Sequence, residues 1–253
     1  MRSRRAPHCR RVARHRDPVP AGARAAALLR RIRPNNLRPC SVLPPADARR
    51  APQSDDCLAA LGVDLPAVRA AAAKRGLLWT RVAVRDFDRL DQAAMLPDMA
   101  RALNTLLALG RVPYVHCTAG INRAPLSVVG MLTFARGWEL DAAVGALKAA
   151  RPQANPYVEP WKAARARLLA GREEEVFSRV HAAGGATAAA GGDWIARDWG
   201  NAQRKVLTDA FARAAQADID LVRGALGAAG LAPVLVDGCI VEEEPENIVG
   251  AII

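Results

Sequence analysis

Five residues separate Cys117 from Arg123 in a stretch that reads VHCTAGINRAP from Val115 to Pro125. A thiolate and a guanidinium at that spacing suit attack on phosphorus. A loop this short turns successive backbone N–H groups inward, and a helix that follows adds its positive end. The same field lowers a thiol pKa, so Cys117 is expected as a thiolate near neutral pH. Arg123 can fork onto two phosphoryl oxygens, which a lysine could not do. Thr118, Ala119, Gly120, Ile121 and Asn122 make the expected phosphate-binding loop, with Gly120 free to take positive φ. His116 is expected to support the loop and the Cys117 sulfur rather than to transfer protons. A phosphomonoester also needs a proton on its leaving oxygen, and a loop carboxyl facing the cysteine can give it. The RDFD segment, 85–88, offers Asp86 for that role, with Asp88 as its rival or as a helix cap. This chemistry needs neither a cofactor nor a metal, and no His/Cys cluster has metal-ligand spacing.

Regularly alternating elements can position these groups. Asp64 and Pro66 open a helix that runs to Gly76, and 77–84 reads as a strand ending in RDFD. Leu96, Met99, Leu103, Leu106 and Leu107 fall at helical spacing after it, and Gly110 closes that helix. Residues 112–115 form a strand into the Cys117 loop. A helix carrying Leu126, Val129 and Phe134 follows, then helices over 139–150 and 158–169 separated by Pro152 and Pro156. Alternation of this kind predicts an α/β fold with a central, mainly parallel sheet flanked by helices. Ligand is expected at the carboxyl ends of its strands, where both RDFD and HCTAG lie.

Composition then limits the partners. The chain of 253 residues has a formal net charge of +11, but residues 1–53 alone hold fourteen Arg against Asp17 and Asp47. The remainder is close to neutral, which disfavours a nucleic-acid-binding face on the folded part. Five cysteines without a C-x-x-C pair fit a reducing compartment, and no apolar run approaches the roughly 20 residues that span a bilayer. A soluble monomer is expected. The Arg-rich, acid-poor first 52 residues read as a transit peptide or a disordered basic tail. Residues 53–170 are then the catalytic domain and 171–253 a C-terminal extension. In that extension a Gly/Ala linker at 184–192 precedes a long helix over 201–226, with tryptophans just before it and one strand within 231–241.

The phosphate loop resembles that of the cysteine-dependent phosphatases, in their dual-specificity branch. Residues 53–170 as a whole resemble the plant and algal glucan (starch) phosphatases of that branch. QSDD and LGVD within 53–64, RDFD at 85–88, and YVHCTAG followed by RAP at 114–125 carry the likeness. Ala124 follows the Arg here as in the starch enzymes, where protein-directed members place Ser or Thr. The resemblance implies the dual-specificity phosphatase fold, with Cys117 as nucleophile, Arg123 as phosphate clamp and Asp86 as acid. It also implies that Phe87 and Phe134 line a substrate channel, although Phe134 on an amphipathic helix equally suits the core. The implied substrate is phosphorylated glucan in a plastid. Phosphoprotein in the cytoplasm is the alternative, and a weakly active glucan- or partner-binding scaffold a further one.

Three departures stand out. Asn122 occupies the position where the starch enzymes have Gly, and Ala60-Leu61 replaces an aromatic pair. The strand–helix–strand unit expected ahead of QSDD finds little room in residues 38–52, so an incomplete sheet is expected.

Overall fold

The computed structural model describes residues 33–34, 48–75, 78–187, 194–228, 234–236 and 239–241. The leader therefore lies outside the described residues except for two short segments, and both are strands. β1 (Arg33–Pro34) and β2 (Ala48–Pro52) join β3 (Leu78–Val82) and β4 (Pro113–Val115) in a four-stranded sheet of order β1-β4-β2-β3. Every pairing is parallel, with Ala48 of β2 opposite both Leu78 and Pro113. The sheet thus begins ahead of residue 53, the boundary drawn from composition, and β2 is an interior strand. Its sequence, ARRAP, lacks apolar alternation, so it is a strand because two neighbours pair with it.

Helices cover the sheet. α1 (Asp55–Ala60) is capped by Ser54, whose hydroxyl accepts from the Cys57 N–H, and α2 (Leu65–Ala73) by Asp64. α3 (Arg89–Ala108) is the organising helix. Leu96, Met99, Leu103 and Leu106 are buried along it, and it packs on α4, α6 and α8. α4 (Arg123–Gly130) is buried throughout and runs into a π-helical turn, Met131–Ala135. There the Thr133 hydroxyl donates to the Val129 carbonyl (2.8 Å) and accepts from Trp161 Nε1 (2.8 Å), which fastens α4 to α6. A Cβ on Gly130 would lie 2.7 Å from Leu96 Cδ1, so glycine is what lets α4 approach α3 this closely.

α5 (Leu140–Ala150) and α6 (Val158–Leu169) lie within a residue of where the prolines placed them. α7 (Glu173–Thr187) is an unanticipated helix that takes in the start of the expected linker. α8 (Trp194–Ala228) is longer than expected and includes both tryptophans. Trp199 packs against the core, and Val206, Leu207 and Phe211 are buried in it. Residues 234–236 and 239–241 form a two-stranded antiparallel hairpin, β5–β6, in place of one strand. Among the described residues no helix is long and apolar enough to cross a membrane.

Candidate active site

Parallel pairing brings three strand ends to one edge, and each delivers a piece of the site. β2 leads into Gln53, β3 into 83–88, and β4 into Cys117. Arg123, at the first turn of α4, is where they converge. Its side chain is 1% exposed. Nη2 donates to Asp86 Oδ2 at 2.7 Å and to Thr118 Oγ1 at 2.9 Å, while Nη1 donates to the Val84 carbonyl at 3.1 Å. Gln53 Nε2 donates to the same Thr118 hydroxyl at 3.2 Å. Arg123 Nε is buried without a hydrogen-bond partner. A buried charged donor left unpaired is costly, and an oxyanion is the natural acceptor for it.

The loop beneath is held from outside. Arg151, itself buried, donates Nε to the Gly120 carbonyl (3.0 Å) and Nη2 to the Ala119 carbonyl (3.3 Å). Asn155 N–H donates to the Ile121 carbonyl at 2.7 Å. Gly120 takes φ of 68°, as expected of it. Asn122 is the N-cap of α4 but makes no side-chain cap bond. Its carboxamide instead accepts from the Tyr157 N–H (3.0 Å) and donates to Gln92 Oε1 (3.0 Å). The N–H groups of the first turn of α4 are thus not closed off by that side chain. Cys117 is buried at the head of this loop, and His116 is half-buried with its ring 5.5 Å from that of Tyr114.

The two acids of RDFD differ. Asp88 Oδ1 accepts from the N–H groups of Leu90 and Asp91 and so caps α3. Asp86 instead turns inward to Arg123 and is partly exposed. Between them Phe87 has φ of 60° and is 78% exposed, a strained conformation for a non-glycine residue at the mouth of the site. Leu90 and Ile121 are also exposed. Phe134 is fully buried, its ring stacked on Trp161 at 6.0 Å and tilted against Phe211 at 5.9 Å. It belongs to the core in this structure and does not line a channel, because the π turn directs it between α6 and α8.

Cys57 is a residue that motif reading passed over. It stands on α1 with Sγ 3.3 Å from Arg123 Nη1. Burial alone would raise its pKa, but hydrogen bonds from Ser54 and Arg123, the Arg123 charge and the Asp86 backbone N–H outweigh that, and the thiol lies below its ordinary value. Arg151 and Gln92 were passed over too. Nothing in their spacing from Cys117 marks them, and only the fold brings them in.

No protein-family model matches the chain. Phosphoglucan phosphatase DSP4, amyloplastic, from Castanea sativa is 32% identical over 128 residues, 50% of this chain and 34% of that protein. Laforin from Mus musculus is 33% identical over 79 residues, 31% of this chain and 24% of that protein. The chain thus spans about a third or less of the length of these relatives. Among solved structures, Tk-PTP in its active form aligns over 47% of this chain and 75% of its own, with a TM-score of 0.39 and 23% identity. Human DUSP28 aligns over 47% of this chain and 72% of its own, with a TM-score of 0.37 and 23% identity. Over the matched stretch, this chain is a homologue of phosphoglucan phosphatase DSP4 and of laforin.

Proposed function

We propose that the protein hydrolyses phosphomonoesters of glucan through a cysteinyl-phosphate intermediate. The observation that carries this is the convergence on Arg123 of Asp86 and Thr118, above the loop that Cys117 opens. The phosphoryl group enters the loop, where Arg123 and the backbone N–H groups hold its non-bridging oxygens. Arg123 Nε, still unpartnered, is a ready donor to it. Cys117 Sγ attacks phosphorus and the bond to the sugar oxygen breaks. Asp86, released from Arg123 by the incoming oxyanion, takes up a proton from solvent and passes it to that oxygen. The same carboxylate then takes a proton from the water that attacks the phosphocysteine, and inorganic phosphate leaves. Asp88 does not fit this role, being engaged as a cap.

The glucan substrate rests on the homology to a phosphoglucan phosphatase, and a plastid location on that relative's being amyloplastic. The exposed Phe87 supports it, since an aromatic face can cover the C–H face of a sugar ring. Ala60 and Leu61, both exposed at the end of α1, offer no such face. The test is phosphate release from solubilised phosphorylated amylopectin, a phosphotyrosine peptide and an aryl phosphate, with Cys117→Ser as the blank. Release from amylopectin at a rate comparable to the aryl ester is expected. Aryl and peptide turnover with inert amylopectin would overturn the glucan reading. Inactivity of the folded protein on all three would overturn the phosphatase reading and leave a binding scaffold.

A further inference from the structure

Gln92 is completely buried on the first turns of α3, and a buried carboxamide must find partners. Its Oε1 accepts from Asn122 Nδ2 at 3.0 Å, and its Nε2 donates to the Arg85 carbonyl at 3.4 Å. Asn122 belongs to the phosphate loop, one residue before Arg123. Arg85 belongs to the acid segment, one residue before Asp86. The two amides therefore form a bridge from one catalytic loop to the other. Asn122 Oδ1 extends the bridge to the backbone of Tyr157.

The acid segment is otherwise tied chiefly to itself. Asp91 Oδ2 accepts from the Arg85 N–H at 2.7 Å and Asp88 caps α3, so 85–91 closes as a small ring with the strained Phe87 at its tip. Such a ring fixes its own shape, and the Asp86 N–H ties it to Cys57 on α1, but neither joins it to the phosphate loop. The Asp86–Arg123 pair does join it, yet under the proposed mechanism that pair opens when phosphate arrives. We propose that Gln92 and Asn122 are positioning residues that keep Asp86 registered over the phosphate loop once substrate has displaced it from Arg123. This rests on the phosphatase reading given above. It also gives a purpose to the Asn122 carboxamide, which makes no cap bond on α4 and turns to Gln92 instead.

Leaving-group dependence separates this role from mere structural support. A good aryl leaving group departs with little need of a proton, whereas an alkyl or sugar phosphate needs the acid. Gln92→Leu should lower kcat on a sugar phosphate about tenfold more than kcat on a nitrophenyl phosphate, with KM little moved. In an Asp86→Ala background the same change should cause no further selective loss, because there is no acid left to place. Gln92→Met, which keeps the length of the side chain and loses both bonds without adding a charge, provides a milder variant should Gln92→Leu fold poorly. Equal losses on both substrates, or a selective loss that persists without Asp86, would overturn the proposal. A second readout does not depend on turnover. Amide hydrogen exchange at Asp86 and Phe87, measured with vanadate bound, should quicken in Gln92→Met or Gln92→Leu, and unchanged exchange would also overturn it. An inactive parent protein would count against the phosphatase reading, while the exchange result would still decide whether the bridge holds the acid segment.

Discussion

Under the proposed mechanism Arg123 would serve two anions in turn, Asp86 and then a phosphoryl group. Without substrate its fork is taken by Asp86, Thr118 and the Val84 carbonyl, while Nε waits. Burying a cation among ready partners keeps it fixed in rotamer and lets an oxyanion replace a carboxylate at small cost. Cys57 feels the same charge, and its lowered pKa gives a direct probe of it. In the Cys117→Ser protein, iodoacetamide labelling of Cys57, followed by peptide mass, should reach half its plateau rate at a lower pH than a free thiol in the same buffer. The thiolate fraction is larger on the acid side of the ordinary pKa, so the labelling curve shifts down and not up. A midpoint at or above that of the free thiol would show that Arg123 does not act on the Cys57 sulfur. Cys117, Arg123 and the two RDFD carboxyls stood out as candidates from residue type and spacing, and the fold brings Asp86 and Arg123 together. Spacing left Asp86 and Asp88 as rivals and only the resemblance favoured Asp86, because both suit a loop and it takes the bonds to Leu90 and Asp91 to reveal Asp88 as a cap.

At the scale of elements, the close crossing of α3 and α4 aims the phosphate loop, since α4 begins where that loop ends. Gly130 permits the crossing, and its replacement tests how tightly the two helices are set. Alanine is the better helix former by roughly 1 kcal/mol, whereas overpacking a filled core costs about 1–3 kcal/mol. Gly130→Val, with two more methyl groups than alanine and a poorer helix preference, should lose at least that much in urea unfolding. A midpoint equal to that of the parent would mean that Leu96 yields freely. Elements punctuated by Pro and Gly, such as α5 and α6, were legible because backbone constraints end them. β2 was not, because pairing with β3 and β4 makes ARRAP a strand. Phe134 stayed ambiguous for a related reason: amphipathic spacing marks a face but not what that face meets.

For the molecule as a whole, α8 shares one core with the elements that carry the candidate site. Arg101 grips Asp218 with two bonds, of 2.9 and 2.5 Å, and Thr105 adds a third from α3. Phe211 contacts Phe134 at the centre of the core, so its truncation opens a cavity beside the helix that carries Arg123. Phe211→Ala should cost about 3–5 kcal/mol and shift one cooperative thermal transition as a unit. Two separate transitions, with the variant moving only one, would make α8 an independent appendage. The position of β2 bears on how the protein is made. It leaves the ribosome ahead of both strands that flank it, and β4 follows some 65 residues later. At about 5–20 residues per second that delay is roughly 3–13 s, during which an interior strand has at least one unsatisfied edge. Its two arginines keep such a strand from pairing with other nascent chains, since charge on an open edge deters aggregation. The same two arginines that hid β2 from pattern reading are thus the ones that suit it to that wait, and removal of residues 48–52 would take out the middle of the sheet.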